Sequence, residues 1–377
     1  MVKWLCVIAL VLLTASCKKA FVPAGALSSN NKYLVIDGVI NSGNDSTIFR
    51  LSRTKKFDTV ISIAYETGAQ VMVESDAGAT FPLTEIKNGV YAAGALNLDN
   101  THKYRLDIKT SNAEQFVSDY IAIKNSPPID SVGFIGQADG VHIYVNAHDN
   151  SNTTRYYRWE FSEAWQFSSF YESYLLGDNT HHICYRSDTS GSVAISSTTK
   201  LSNDVVFEAP IVVIPGTSEK IETKYSIMVK QYALSSDAYN FWQKLQKNTN
   251  QLGSIFDAQP STNQTNYHCL SNPSEMVVGY LSVGSVSTKR IYILSNQLPA
   301  YHTQYPYQCP LDSAYYYHQP FYFDPQVLGP NSGNTAIDAF YVAPLGPFGA
   351  PNFKSYARTT CVDCTIRGSL NPPYFWK

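Results

Sequence analysis

Short runs of β-branched and aromatic residues, each cut off by Gly, Asn, Asp or Pro, dominate this chain. That punctuation leaves room for little except small antiparallel sheets. Tyr33 to Ile40 runs into Asn41-Ser42-Gly43-Asn44, a strand followed by a hairpin turn. Further strands are read at Thr47 to Arg53, Ala69 to Glu74, Val90 to Ala92, Tyr104 to Lys109 and Gln115 to Ile123. This spacing predicts a β-sandwich of roughly seven short strands over residues 33–125. The 27 Tyr against 4 Met favour β-structure over a helical bundle.

Ser126-Pro127-Pro128-Ile129-Asp130-Ser131-Val132 marks a boundary, because two prolines stiffen the link and remove ladder donors before a new strand. A second β-rich domain is expected over 126–294. Val141 to Ala147 and Tyr156 to Glu163 read as paired strands joined by His148-Asp149-Asn150-Ser151-Asn152. That loop has the Asp/Asn flavour of a calcium site but lacks the glycine and terminal Glu of an EF-hand, so no metal is assigned. One amphipathic helix is predicted near 236–250, with Ser235 or Ser236 as N-cap, Ala238, Phe241, Trp242, Leu245 and Leu252 on its core face, and Gly253 as the stop. Met276 to Val283 and Lys289 to Leu294 read as two more buried strands. From 295 to 377 the chain is aromatic and rich in Pro and Gly, a loop-rich region that needs staples and packs on the second domain.

The N-terminus has a leader: Lys3, the apolar run Trp4 to Leu13, then Leu13-Thr14-Ala15-Ser16-Cys17. The run is too short to span a bilayer, which needs about 20 residues, and its end fits a lipobox. Residues 1–16 are therefore expected to be a lipoprotein signal peptide, with Cys17 carrying the diacylglyceryl and fatty-acyl (palmitate) anchor and 17–32 serving as tether. The roughly 360 residues that remain are enough for two or three domains.

Export places the thiols where they oxidise. Cys6 leaves with the leader, so the mature chain keeps Cys184, Cys269, Cys309, Cys361 and Cys364. Two disulfides are expected from Cys184, Cys309, Cys361 and Cys364, with Cys269 free because it sits apart from the loop-rich tail; their connectivity is open. Cys361 and Cys364 form a C-x-x-C pair, but no second such pair completes a zinc site, and a structural disulfide role is expected. His181 and His182 beside Cys184 are read as a buried or solvated pair, not as metal ligands. No cofactor is called for. Charged residues are only 15% and the formal charge is −2, which gives nucleic acid no basic field to bind.

Gly68-Ala69-Gln70-Val71-Met72-Val73, Asp76-Ala77-Gly78, Leu83-Thr84-Glu85 and Gly89-Val90-Tyr91 form an ordered series of strands and turns. It resembles the transthyretin-like or carboxypeptidase-regulatory sandwich, a relative in shape of the immunoglobulin-like folds and usually a spacer or interaction module. Over the whole chain, several runs agree in order with Bacteroidetes lipoproteins of domain-of-unknown-function family 4249. They are the lipobox, Val35 to Ile40, Pro127 to Val132, Tyr156-Tyr157-Arg158-Trp159, Tyr225 to Tyr232, Ala238 to Trp242, Gly253 to Asp257 with Gln259-Pro260, Val278-Gly279-Tyr280, Lys289-Arg290, and Cys361 to Cys364 leading to Phe375-Trp376. The resemblance implies a companion of a TonB-dependent outer-membrane receptor and brings no catalytic residues. In such proteins acidic residues after the lipidated cysteine favour export to the outer face. Lys18 and Lys19 follow here, so the cell surface is only slightly favoured over the periplasmic face.

The leading functional expectation is a non-catalytic outer-membrane lipoprotein, an accessory ligand- or receptor-binding partner of a TonB-dependent transporter. Its contact surface is placed in Tyr301 to Phe323, through Tyr301, Tyr305, Tyr307, Tyr315, Tyr316, Tyr317 and Tyr322, with a small molecule or glycan as the ligand class. A structural or assembly protein of the envelope is the alternative. A hydrolase is the weakest reading, since no G-x-S-x-G elbow, H-E-x-x-H helix or phosphate-cradling Gly loop is present.

Overall fold

The computed structural model describes residues 33–54, 63–172, 181–191, 193–251, 265–315, 333–336 and 353–376. The leader, Cys17, the tether, Leu252, Gly253, and Tyr316, Tyr317 and Tyr322 lie outside these residues. The protein is mainly β, with sandwich-like sheets.

The first unit holds β1 (Leu34–Asn41), β2 (Thr47–Arg53), β3 (Ala64–Tyr65), β4 (Gln70–Ser75), β5 (Thr80–Lys87), β6 (Val90–Ala93), β7 (Lys103–Lys109), β8 (Gln115–Ser118) and β9 (Ile121–Ala122). A continuous path runs β8-β7-β4-β5-β6-β2-β1. Strand β5 belongs to both layers: Thr80 to Leu83 pair with β4 and Thr84 to Lys87 with β6. Alternation sets the core face. In β2, Thr47, Phe49 and Leu51 are buried while Ile48 and Arg50 point outward. Tyr91 closes this core, because its hydroxyl donates to Glu66 O (2.9 Å) and accepts from Ala69 N (3.0 Å). Glu85 takes the amides of Gly68 and Gly89 at 2.8 Å each, which holds its carboxyl below the ordinary range.

After Pro127-Pro128 come β10 (Ile129–Gln137), β11 (Gly140–His148), β12 (Tyr156–Ser168), β13 (Ile183–Thr189), β14 (Ala194–Ser197), β15 (Val205–Pro215) and β16 (Lys224–Ala233). Next are helix α1 (Ser236–Gln251), β17 (Tyr267–Cys269), β18 (Val277–Val278), β19 (Val283–Gly284) and β20 (Val286–Leu294). Sheet β10-β11-β15 faces sheet β13-β12-β16-β20 across a core that includes Val141, Ile143, Tyr157, Trp159, Phe167, Tyr225, Ile227 and Val229. Two of its buried polar groups are matched, Trp159 Nε1 donating to Gln231 (2.9 Å) and the Tyr225 hydroxyl to Glu163 (2.8 Å), whereas the buried Trp165 Nε1 has no partner among the described residues. Helix α1 starts as the sequence indicates, with Ser235 Oγ accepting from Ala238 N (3.2 Å).

Two expectations change. Residues 126–294 do not all build the second sandwich: β17 pairs with β8, and β18 and β19 pair in parallel with β1. Tyr267, Cys269, Val277, Leu281 and Val283 complete the first core, so that unit is discontinuous in sequence. Met276 to Val283 is accordingly not one strand but two short ones separated by the irregular stretch Gly279 to Ser282. At its end Gly284 sits so close to Lys124 O that a Cβ would lie 1.9 Å from it, which only glycine permits. Arg53 fixes the returning chain from below, with Nε 2.6 Å from Glu66, Nη2 2.7 Å from Glu114 and Nη1 3.4 Å from Glu275.

The C-terminal region contains a small sheet of β21 (Asp312–Tyr315), β22 (Asn334–Ala336) and β23 (Phe353–Arg358), followed by the helical turn α2 (Thr359–Val362). Tyr315 was expected in a loop and instead ends β21, its main chain paired with Phe353. The disulfides are Cys184–Cys364 and Cys309–Cys361, and Cys269 is free and buried. The C-x-x-C cysteines bond to different partners, so Cys361 ties α2 to the segment around residue 309 and Cys364, just beyond α2, ties the chain to β13.

Candidate functional site

Strand β12 alternates Trp159 and Phe161 into the core with Arg158 and Glu160 toward the opposite face. There the β1–β2 hairpin of the first sandwich lies across β12, β16 and β20 and leaves a cleft of about 370 Å³. Asp37, Asp45 and Arg50 line it from the hairpin; Arg158, Glu160, Lys230 and Tyr232 line it from the sheet.

Arg158 organises the cleft. Its side chain is only 5% exposed, yet it is not neutralised deep in a symmetric pair: one Nη2 contact reaches Glu160 Oε1 at 2.9 Å. The guanidinium is stacked between Trp242 of α1 (4.0 Å to the ring centroid) and Tyr232 of β16 (4.6 Å). Its Nε–H is buried without a hydrogen-bond partner, a state that costs about 1–3 kcal/mol unless something fills it. Glu160 uses its other oxygen to accept from the Tyr232 hydroxyl at 2.8 Å. Burial, then the Glu160 charge, pushes the Tyr232 phenol well above its usual value. Asp37 is also raised, first by partial desolvation and second by Glu160, against the pull of Arg158 and of Arg50 at 3.7 Å, although its side chain is still half exposed. Lys230 stands opposite Glu160 in the strand register, but with both Glu160 oxygens engaged it has no partner among the described residues.

The residues named from the sequence lie elsewhere. Tyr301 donates its hydroxyl toward Gln137 O (2.7 Å) and Gly140 O (2.8 Å), pinning the loop to the β10–β11 hairpin. Tyr305 donates to Thr360 O at 3.0 Å and lies under Arg367, 4.6 Å from its ring centroid. Tyr307 is the exposed member of this group, edge-on to Tyr305 at 6.1 Å. The structure thus brings Tyr305 and Tyr307 together beside the Cys309–Cys361 bridge, with two of the three described phenols directed at main-chain carbonyls.

The Asp149 loop is internally closed. Its carboxylate accepts from Ser151, Thr153 and Thr154 amides at 2.8–3.0 Å and from the Ser151 and Thr153 hydroxyls, which lowers its pKa strongly against the opposing effect of burial. This is a turn-stabilising carboxylate. His181 Nδ1 lies 3.1 Å from Asp363, and His182 shares a 2.8 Å hydrogen bond with Ser169, beside the Cys184–Cys364 bridge. Among the described residues no group of three or more His, Cys, Asp or Glu could hold a metal ion.

Arg158 and Glu160 were read from the sequence as strand residues only, and Lys230 and Tyr232 only as part of the family-like run Tyr225 to Tyr232. The available signal was charge at alternate positions of an otherwise aromatic strand, Tyr156 to Phe161, which marks a face covered by something other than core.

No curated protein matches this chain. Among solved structures, a two-domain fibronectin type III segment of chicken tenascin aligns at 10% identity over 55% of this chain and 93% of that one, with a TM-score of 0.16, too low to bear on fold or function. A family model described as "Domain of unknown function (DUF4249)" matches residues 23–290, and the chain belongs to that family.

Proposed function

We propose that this protein is a lipid-anchored, non-catalytic binding protein of the outer membrane, acting beside a TonB-dependent transporter as its ligand- or receptor-binding accessory. The observation that supports binding is Arg158: a buried cation with an unfilled donor, held rigidly by two aromatic rings at the wall of a cleft between two sandwiches. Two ion pairs line the cleft, Arg50 with Asp37 and Arg158 with Glu160, while Lys230 has no partner among the described residues, an arrangement suited to holding a polar ligand and poor in nucleophile–base pairs. Lipid attachment rests on Ala15-Ser16-Cys17 after the short apolar leader.

Mild-detergent purification of the native lipoprotein from its own outer membrane tests the reading. A β-barrel receptor should co-elute, and Cys17→Ala should move the protein out of the membrane fraction or leave unprocessed precursor. Recovery without any barrel partner favours the structural or assembly role, whereas turnover of an envelope or glycan substrate by the purified protein supports the hydrolase.

A further inference from the structure

The cleft does not end at Arg158. The outward residues of β16 and β20 continue along the same sheet face, and Met228, which lines the cleft, receives Arg290 Nη2 at 3.5 Å. Arg290 also donates to Ser226 Oγ at 3.0 Å and lies under Phe375, 3.5 Å from the ring centroid, yet it has no carboxylate partner among the described residues. Phe375 belongs to a C-terminal aromatic run laid on the far end of this face. Tyr292 donates to Phe375 O at 2.5 Å, and Trp376 packs edge-on against Tyr185 and Tyr292, 5.5 and 6.3 Å away. Tyr374, the next ring, is 99% exposed and stands edge-on to Phe375 at 5.2 Å.

A trough therefore runs from the β1–β2 hairpin to the C-terminal rings. Lys230 opposes Thr288 and Met228 opposes Arg290 in the β16–β20 register, so Lys230 and Arg290 occupy diagonal positions whose main chains are about 7–8 Å apart on adjacent strands. Both cations lack an acidic partner, and one wall offers an exposed ring. We propose, on the basis of the binding role above, that this trough takes a carboxylate-bearing saccharide. Its acid group sits between Lys230 and Arg290, and a sugar face lies against Tyr374. An extended peptide is the weaker fit. Strand addition uses a sheet edge, and the floor is a sheet face on which β16 is paired on both sides, so only the outer edge of β20 has main-chain groups left to offer. What remains for recognition is side-chain cations, hydroxyls such as Thr288, and ring faces, which match a polyhydroxylated acid.

Titration calorimetry of the mature lipoprotein in detergent with trigalacturonate, neutral maltotriose and hexaglutamate tests this. Trigalacturonate should bind, weaken with added salt, and lose about tenfold in affinity in Lys230→Ala and in Tyr374→Ala. Both variants should keep the parent thermal midpoint, since Lys230 has no partner among the described residues and Tyr374 is exposed. No heat with trigalacturonate, equal or tighter binding of hexaglutamate or maltotriose, or unchanged affinity in both variants overturns the assignment. If the barrel receptor still co-purifies in that event, only the ligand class falls; loss of co-purification removes the accessory role itself.

Discussion

The guanidinium of Arg158 lies 4.0 Å from the centroid of the Trp242 ring, joining the outer face of the β12 sheet to helix α1. Trp242 was expected on the core face of the helix, and Phe241 meets it edge-on at 5.3 Å. Its exposed-side neighbour is a charge instead of a methyl group.

Trp242→Ala should lower the unfolding free energy by about 2 kcal/mol through lost packing and cation–π contact, and Trp242→Phe should restore most of it. Denaturant titration of the two variants measures this. Equal stability of the alanine variant and the parent would show that the contact contributes little.

Arg53→Ala should cost about 3–5 kcal/mol, because it leaves Glu66, Glu114 and Glu275 gathered with no cation between them. The same variant should expose the buried Cys269 thiol to alkylation faster, since Glu275 tethers the chain between β17 and β18. Labelling rates followed by mass spectrometry report it.

Non-reducing peptide mapping should recover Cys184–Cys364 and Cys309–Cys361, with Cys269 labelled only after unfolding. The Cys309–Cys361 bridge closes a 52-residue separation, so the double Ser variant should lose about 4 kcal/mol on the chain-entropy account. A Cys361–Cys364 peptide in the native digest would contradict the fold of the C-terminal region.

Asp149 has a depressed pKa in the folded protein, so its contribution to stability is present above the unfolded value near 4 and is lost as pH falls through the folded value. Asp149→Asn should therefore cost about 1–2 kcal/mol at neutral pH, and the gap to the parent should shrink progressively below about pH 4. Parallel urea titrations across the acid range would detect a gap that stays constant, which would refute the assignment.

Tyr301→Phe removes a hydroxyl directed at two carbonyls of the β10–β11 hairpin and should cost about 1 kcal/mol without altering ligand capture. Tyr307→Ala, at an exposed ring, should leave stability nearly unchanged. A binding loss in Tyr301→Phe at full stability would return the contact surface to the aromatic segment.

Much of the fold was legible because it is local. Period-2 burial in β2, the Ser235 cap of α1, the Glu85 to Gly89 turn and the Pro127-Pro128 break each depend on neighbours within a few positions. The choice of Cys269 as the free thiol rested on its separation from the other cysteines. The structure adds that this thiol is buried in the first core, a place its sequence neighbourhood did not indicate.

The sequence by itself determined that the chain makes short strands, where most of them start, which cysteines pair off as a set, and the leader pattern on which export is argued. Only the tertiary structure decided that β17 to β19 return to the first sandwich. Two- and three-residue strands carry too few side chains for a period, and their register comes from β1 and β8, more than 100 residues away. It also decided the disulfide partners and the cleft. Arg158 and Glu160 read as ordinary outward strand residues until the β1–β2 hairpin and α1 cover them, and burial then makes a surface ion pair into a rigid wall of the cleft with one unpartnered donor.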